Sequence, residues 1–502
     1  MPDPLVIAIA LTIDSTWQLI NNHLMLRSIL TLISLITFES LAQAETQVHE
    51  NPNKQSVISF IDSRQKDLID ISDRIWAYAE TAFHETRSSA ALADYAEQNG
   101  FRVSRGVAET PTAFVAEYGS GKPIIGILGE FDALPGLSQK AVPHKDPLNE
   151  GAAGHGCGHN MFGTASLGAA IAIKQLIESG ELKGTVRFYG TPAEEQYFGK
   201  LWMIRAGLFD DVDVVMDWHP GAETKAYVQS SLAMVDFQVE FYGQAAHAAV
   251  DPWNGRDASD ALEFYASGIN YYREHVKPTV RIHYDIKVAG EVVNVVPDYA
   301  RIWVRVRDSK RDGMVKVWNR VVEMAEGAAI LANVEHKVSL VSGIHEVLPN
   351  RTGGALTQAN LEFLGAIEYT EEEVTFANAI QEATGKEQVG LDSAINPLEE
   401  TKENPSGGST DVGDVSFIVP VLRMKATVAP KDTPWHSWAV AACGGMSIGH
   451  KGMLQAAKTM SMTMVDLYES PDNIEEIKTE FKERKGDYVY TAMIPDGPPP
   501  ID

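Results

Sequence analysis

Short apolar runs alternate with helical stretches through the first half of the chain, and this alternation constrains the fold more than any other feature. Three of the runs, at residues 124–128, 185–189 and 212–216, predict buried strands. A stretch of small residues at 165–177 predicts a helix between the first two. Strands that alternate with helices are typical of a mostly parallel sheet with helices on both faces. The sequence therefore predicts an α/β fold.

The pattern changes near Ser231. The order strand-helix-strand-strand-helix-strand follows, at residues 234–242, 257–275, 280–288, 300–306, 312–331 and 334–341. This is the order of a ferredoxin-like α+β sandwich. Because 502 residues exceed what one core usually organises, we expect an inserted domain. The predicted divisions are 45–229 and 346–470 for the catalytic domain, 230–345 for the insert and 471–502 for a C-terminal tail, either packed on the surface or partly mobile.

Residues 1–44 have the pattern of a secretory signal peptide. Met25 and Arg27 precede an apolar run at 29–38, and Ala42-Gln-Ala44 follows it. This arrangement predicts cleavage before Glu45 and an exported, periplasmic protein. A buried helix or a membrane anchor is the alternative. Neither N-terminal apolar run reaches the roughly 20 residues that a spanning helix needs, so we expect no membrane in the mature form.

Charge and cysteine content exclude several classes of function. The 42 basic and 68 acidic residues give a net charge of −26, which argues against nucleic acid and acidic membranes as partners. The two cysteines, Cys157 and Cys443, cannot form a disulfide framework. No glycine-rich phosphate-binding loop follows an early strand, which argues against a nucleotide site.

Metal-binding residue types follow each of the three predicted strands. They are Glu130 and Asp132 after the first strand, Glu194 and Glu195 after the second, and Asp217 and His219 after the third. Ligands bind beyond the carboxyl ends of the strands in open parallel sheets. We therefore expect these side chains to converge at one crevice.

A fourth contribution is His155-Gly-Cys157-Gly-His159, which directly precedes a predicted helix. The glycines allow a tight turn, and Cys and His are good ligands for zinc and related ions. The alternative is a buried thiol beside two surface histidines. Likewise, Glu194 and Glu195 are either a solvated acidic pair or a pair with divided roles. In the second case one binds metal and the other moves protons between water and the leaving amine.

Seven motifs in one order resemble the superfamily of two-metal aminoacylases, carboxypeptidase G enzymes and amino-acid-conjugate hydrolases. They are Gly-His-Gly-Cys-Gly-His-Asn (154–160), Thr-Pro-Ala-Glu-Glu (191–195), Trp-His-Pro (218–220), Gly-Gln-Ala-Ala-His (243–247), Asn-Val-Val-Pro (294–297), Ser-Thr-Asp-Val-Gly-Asp (409–414) and Trp-His-Ser-Trp (435–438). The resemblance spans residues 56–468 and is greatest to the p-aminobenzoyl-glutamate hydrolase type. It implies a metallo-exopeptidase-like catalytic domain and a homodimer built through the insert.

The resemblance also implies roles for individual residues. The implied ligands of two divalent ions, zinc or manganese, are Cys157, His159, Glu195, His219 and His436. Glu194 matches the general acid/base, and His247 matches a histidine that reaches the active site of the partner subunit. Asn294 and Arg307 match substrate-binding positions. As alternatives, His247 is a surface histidine and Arg307 belongs to the solvated face of a strand.

The expected function is metal-dependent hydrolysis of the amide bond of small N-acyl amino acids or dipeptide-like substrates, including aminobenzoyl-glutamate-like compounds. Hydrolysis of another small bond, such as an ester or lactam, would use the same ligands. A non-catalytic binding protein is a further alternative, although Glu194 and the ligand set are all present. Relatives with a His-x-Asp metal motif differ from this chain, which has Glu130-Phe-Asp132, so we carry over no metal role to these positions.

Overall fold

A computed structural model describes residues 51–402, 404–405 and 407–501. The predicted signal peptide, with its cleavage site before Glu45, lies outside the described residues. Residues Ser56–Asp502 form one compact unit. Among the described residues, no helix is both long enough and apolar enough to cross a membrane.

Eleven strands in the described part of the chain form two sheets. They are β1 (Arg102–Arg105), β2 (Phe114–Gly119), β3 (Ile124–Glu130), β4 (Thr185–Thr191), β5 (Val214–Gly221), β6 (Lys225–Ala226), β7 (Ala233–Tyr242), β8 (Arg281–Ala289), β9 (Tyr299–Asp308), β10 (Glu335–Ile344) and β11 (Val421–Thr427).

The larger sheet has seven strands in the order β1-β2-β4-β3-β5-β11-β6. The central pairs β4–β3, β3–β5 and β5–β11 are parallel, whereas β2 and β6 run antiparallel to their neighbours. The four central strands therefore point in one direction, as the strand-helix alternation predicts. β5 differs from its prediction, because it continues to Gly221 alongside β11 and so includes His219 instead of ending before it.

The helices lie mainly around this sheet. Those of six or more residues are Pro52–Ser63, Gln65–Tyr78, Thr86–Gln98, His159–Ser179, Lys200–Arg205, Ala258–Tyr272, Arg311–Ala332, Arg351–Leu364, Glu371–Ala383, Trp438–Gly444, Ser447–Glu469 and Pro471–Lys485. On one face, helix His159–Ser179 approaches β3 so closely that a Cβ at Gly129 would lie 3.3 Å from Gly163 Cα. On the opposite face, Tyr189 of β4 stacks on Phe209, just after helix Lys200–Arg205, with 4.4 Å between ring centroids. Both faces of the sheet are thus covered, which confirms the predicted fold class.

The smaller sheet has four antiparallel strands in the order β10-β7-β9-β8. Helices Ala258–Tyr272 and Arg311–Ala332 pack on one face of it and share a separate apolar core, to which alternate residues of β7 such as Phe237 and Phe241 contribute. The chain order matches the predicted ferredoxin-like unit. Because Ser56–Asp502 is one compact unit, the domain limits at 230 and 345 stay predictions.

The C-terminal residues contact the smaller sheet and a helix beside the larger sheet. Gly343 of β10 donates its N–H to Met493 O at 2.7 Å, and Met493 packs against the apolar core of the smaller sheet. Arg205, beside the larger sheet, donates to Pro495 O at 3.1 Å. Of the two predicted arrangements for the tail, the described residues adopt the packed one.

Candidate metal centre

The carboxyl ends of β3, β4 and β5 bring the predicted metal-type side chains together. Glu130 ends β3, Glu194 and Glu195 follow β4, and His219 lies near the end of β5. His159 joins them as the first residue of a helix whose N-cap, Gly158, has a φ of 82°. Glycine suits this position because side-chain-bearing residues rarely adopt such a φ.

Cys157, His159 and His219 form a first group of possible metal ligands. One ligand atom from each lies within 4.8 Å of the other two, and Cys157 Sγ is 3.4 Å from His219 Nε2. Each histidine is oriented through its other nitrogen. His159 Nδ1 donates to Asp132 Oδ1 at 2.8 Å, and His219 Nδ1 donates to Pro220 O at 2.7 Å. Such outer partners leave Nε2 of both rings free to bind an ion.

Cys157, Glu195 and His436 form a second group with the same spacing. His436 Nε2 lies 3.5 Å from Glu195 Oε2. Glu195 is held from behind, because its backbone N–H donates to Asp132 Oδ2 at 2.8 Å. Cys157 belongs to both groups, which is the arrangement expected of a thiolate shared by two ions.

Two atoms of these groups are buried and have no hydrogen-bond partner among the described residues. They are His159 Nε2 and Glu195 Oε1, 4.0 Å apart. Buried polar atoms are nearly always bonded. His159 Nε2 has a Glu130 oxygen 3.2 Å away but no hydrogen bond, so this atom and Glu195 Oε1 are suited to bind an ion. The sulfur, imidazole and carboxylate donors are those that zinc and similar divalent ions take. The residues present therefore fit two divalent ions.

Electrostatics favour positive charge at this place. Burial alone would lower the pKa of His159, but Cys157, Glu130 and Asp132 raise it well above its ordinary value. Burial and the charge of Glu195 raise the pKa of the Cys157 thiol. An ion bound to both would supply the positive charge and stabilise the thiolate, with release of protons.

Glu194 lies beside these groups but belongs to neither. It is 8% exposed, and with Glu130 and His159 it forms a third group with the same spacing, in which Glu130 is paired with Lys200. Burial and the charges of Glu130 and Glu195 raise the pKa of Glu194 well above its ordinary value. A buried carboxyl group with a raised pKa is suited to accept and return a proton.

A buried ion triad supports the cluster and is not among the sequence predictions. Lys200 Nζ is 2.6 Å from Glu130 Oε1 and 2.6 Å from Asp411 Oδ1. The other oxygen of Glu130 lies 3.2 Å from His159 Nε2. All three side chains of the triad are almost fully buried. In the sequence, Glu130 is expected at this crevice and Asp411 lies within the motif at 409–414, whereas nothing indicates Lys200.

The backbone around the cluster is strained. His436 has a φ of 55° and Ala193 a φ of 60°, in the left-handed region that residues with side chains seldom occupy. Ala193 is held there because its N–H donates to Glu85 Oε1 at 2.9 Å. Burial and the charge of Asp132 raise the pKa of Glu85 to about 8. Glu85 is not among the predicted site residues, because it is distant in the chain from any motif.

A cavity of about 820 Å³ opens in front of the two ligand groups. Cys157, Glu194, Glu195, His219 and His436 line one end of it. The other lining residues include five cations, Arg305, Arg307, Arg423, Lys425 and Lys431, and three carboxylates, Glu223, Asp392 and Asp432. Arg305 pairs with Asp236 at 2.5 Å and Arg423 with Asp217 at 2.8 Å. The predicted substrate-binding residue Arg307 thus faces the same space as the predicted ligands.

His247 and Asn294 do not line this cavity within the single chain. Both are exposed and lie in connections of the smaller sheet, His247 after β7 and Asn294 between β8 and β9. The two connections are neighbours, because residue 247 forms a bridge with Val295. His247 Nδ1 accepts the Ala249 N–H at 3.1 Å. The roles implied for His247 and Asn294 remain predictions.

The sequence and the fold both match proteins of one hydrolase family. The model of peptidase family M20/M25/M40 matches residues 126–422. One subunit of the p-aminobenzoyl-glutamate hydrolase of Escherichia coli (strain K12) is 38% identical, over 88% of this chain and 98% of that protein. The Xaa-Arg dipeptidase of Mus musculus is 30% identical, over 86% and 92%.

Among solved structures, a dinuclear metal binding peptidase of the M20 family from Bacillus subtilis superposes with a TM-score of 0.53. The superposition covers 81% of this chain and 99% of that chain. Because the two sequences are 18% identical, this likeness shows the fold alone. The chain therefore belongs to peptidase family M20/M25/M40, which confirms the predicted family and the predicted class of enzyme, a metal-dependent hydrolase of amide bonds.

Proposed function

We propose that the chain hydrolyses the amide bond of small N-acyl amino acids or dipeptide-like molecules, aminobenzoyl-glutamate-like compounds among them. The observation that carries this proposal is one cavity in which two ligand groups sharing Cys157 face the buried carboxyl of Glu194. The names of the E. coli and mouse relatives refer to an N-acyl glutamate and to dipeptides. Both are linear amides of an amino acid, and a cavity of this volume accommodates molecules of that size.

We propose that one ion is held by Cys157, His159 and His219, and the second by Cys157, Glu195 and His436. When bound, two such ions supply Lewis acidity at a carbonyl oxygen and lower the pKa of a water molecule. The thiolate and imidazole donors suit zinc, and manganese is the alternative. Ligand chemistry does not choose between them, because selection also depends on the metal that is available.

The chain's own residues then act on protons and on orientation. Glu194 accepts the proton of the attacking water and returns it to the departing nitrogen. Its burial and its position beside both ligand groups suit it to these two steps. Asp132 orients two groups at once, through the His159 ring and the Glu195 backbone N–H. Arg307 offers a forked donor to a substrate carboxylate.

We also propose that a second copy of the chain completes the site. His247 and Asn294 lie among exposed apolar side chains, including Val250 at 66%, Trp253 at 72% and Val293 at 99% exposure. Clustered apolar groups of this kind mark interaction surfaces. A homodimer formed through this surface would bring His247 towards the partner's cavity, where an imidazole can stabilise the oxyanion. The name of the E. coli relative describes one subunit of a hydrolase, so a different protein chain is the alternative partner.

Export remains a proposal that rests on the N-terminal pattern.

An amine-release assay on the protein from Glu45 onward tests the proposed function. The panel holds N-acyl amino acids, aminobenzoyl-glutamate, dipeptides and an ester matched to one of the amides, each with zinc, manganese or chelator. Metal-dependent release of the amine from at least one amide supports the proposal. Cleavage of the ester alone, or amide cleavage that a chelator leaves unchanged, contradicts it.

A further inference from the structure

Two of the cations that line the cavity are neutralised by ion pairs, whereas two others, which are half-buried, have no ion pair among the described residues. Arg305 and Arg423 form ion pairs with buried aspartates. Arg307 and Lys425 are partly buried, and no ion pair joins either of them to a carboxylate of the described residues. An incompletely hydrated cation without an anionic partner is costly, and an arriving anion relieves that cost.

Strand pairing fixes where Lys425 points. β11 runs parallel to β5 in a register that places Lys425 beside His219 and Arg423 beside Asp217. Register partners on neighbouring strands project from the same face of a sheet, about 4.8 Å apart. Arg423 and Lys425 both line the cavity, so Lys425 projects from the same face as Arg423, next to the metal-ligand position of His219.

The ring of Tyr227 supports the ammonium group of Lys425. Lys425 Nζ lies 4.1 Å from the centroid of this ring, and the Tyr227 N–H donates to Arg423 O at 2.8 Å. The neighbouring Lys225 differs, because it pairs with Glu223 and Glu399. Lys425 and Arg307 have no such pair among the described residues, so a bound anion would stabilise each of them.

The geometry points to Lys425, backed by the ring of Tyr227, as a specificity-determining residue that binds a second carboxylate of the substrate. Arg307 on β9 and Lys425 on β11 enter the cavity from different sheets, so one molecule can meet both cations at separate points. The substrate class that fits is an N-acyl amino acid with an acidic side chain. This inference rests on the proposed function and on Arg307 receiving the other carboxylate.

The test compares two substrates of nearly equal shape, N-(4-aminobenzoyl)-glutamate and N-(4-aminobenzoyl)-glutamine. Their kcat/KM ratio is measured for the full chain with metal and for three variants, Lys425→Met, Lys425→Arg and Lys431→Met. The wild type should prefer the glutamate compound by about 10- to 100-fold, as expected for a charged contact in a partly desolvated site. Lys425→Met should bring the ratio close to one, mainly through a higher KM for the glutamate compound.

The other two variants are the controls. Lys425→Arg should retain part of the preference, and Lys431→Met should retain all of it, because Lys431 is exposed at the same cavity. Equal hydrolysis of both compounds by the wild type, or an unchanged ratio in Lys425→Met, overturns the inference and leaves the proposed function intact. If neither these compounds nor any other amide of the panel is hydrolysed, the proposed function fails, and the inference fails with it.

Discussion

Lys200→Met should destabilise the metal-free protein strongly. Lys200 is the only lysine or arginine of the described residues that pairs with Glu130 and Asp411, at 2.6 Å from each, and all three side chains are at most 1% exposed. Removal of one partner from a buried ion group leaves an uncompensated charge and costs about 3–5 kcal/mol. Methionine fills most of the lysine volume, so the loss reports charge more than packing.

The pH dependence of this loss follows from the two carboxyl groups left behind. Burial already raises the pKa of Asp411 to about 6, against the lowering effect of Lys200. Without Lys200 the folded-state pKa rises further above the unfolded value. Stability linked to such a group is present below the unfolded pKa and lost as pH rises through the folded pKa. The destabilisation should therefore be larger at pH 8 than at pH 5.

Urea unfolding of the metal-free protein measures this effect from the midpoint and its slope. The control is Arg320→Met, which removes an exposed i,i+3 pair with Glu323 and should change the free energy of unfolding by less than about 1 kcal/mol. A loss in Lys200→Met no larger than that of the control, or a loss independent of pH, would refute the reasoning.

Three further predictions concern the supports of the site. Asp132→Asn should lower metal affinity about 10- to 100-fold, because His159 loses its orienting carboxylate; chelator competition measures it, and an unchanged affinity contradicts it. His247→Ala should lower turnover while metal content stays at the wild-type value, and an unaffected rate would leave His247 as a surface residue. Burial raises the pKa of Asp414 to about 7 despite bonds from the His345 N–H and the Tyr490 hydroxyl. The free energy of unfolding of the wild type should thus fall between about pH 4 and pH 7 relative to that of Asp414→Asn. Free energies of unfolding that change with pH in parallel in the two proteins would exclude this.

The parts of the site that sequence could predict are those fixed by local pattern. Strands β3, β4 and β5 have short apolar runs, and the parallel topology alone places the residues that follow them at one sheet edge. Cys157 and His159 have their own signature of glycines before a helix. His219 lies at this edge as predicted, even though its strand extends further than predicted.

The parts that sequence could not predict depend on contacts between distant segments. Lys200 acquires its setting from Asp411, 211 residues later in the chain, and Lys425 from its register with His219. Neither contact produces a periodic pattern in the sequence. Strands β1 and β2 are not predicted, because a few residues with mixed burial give too weak an alternation. The position of His247 relative to a partner depends on a second chain.

Metal content and turnover of Glu194→Gln, measured side by side with the wild type on the amide that the wild type hydrolyses best, test the central claim most directly. We expect two ions per chain in both proteins and a rate that falls about 10²- to 10⁴-fold in the variant, since Glu194 moves protons but holds no ion. A variant that retains nearly the wild-type rate, or that loses its ions, would contradict the roles assigned to this carboxyl and to the groups that share Cys157.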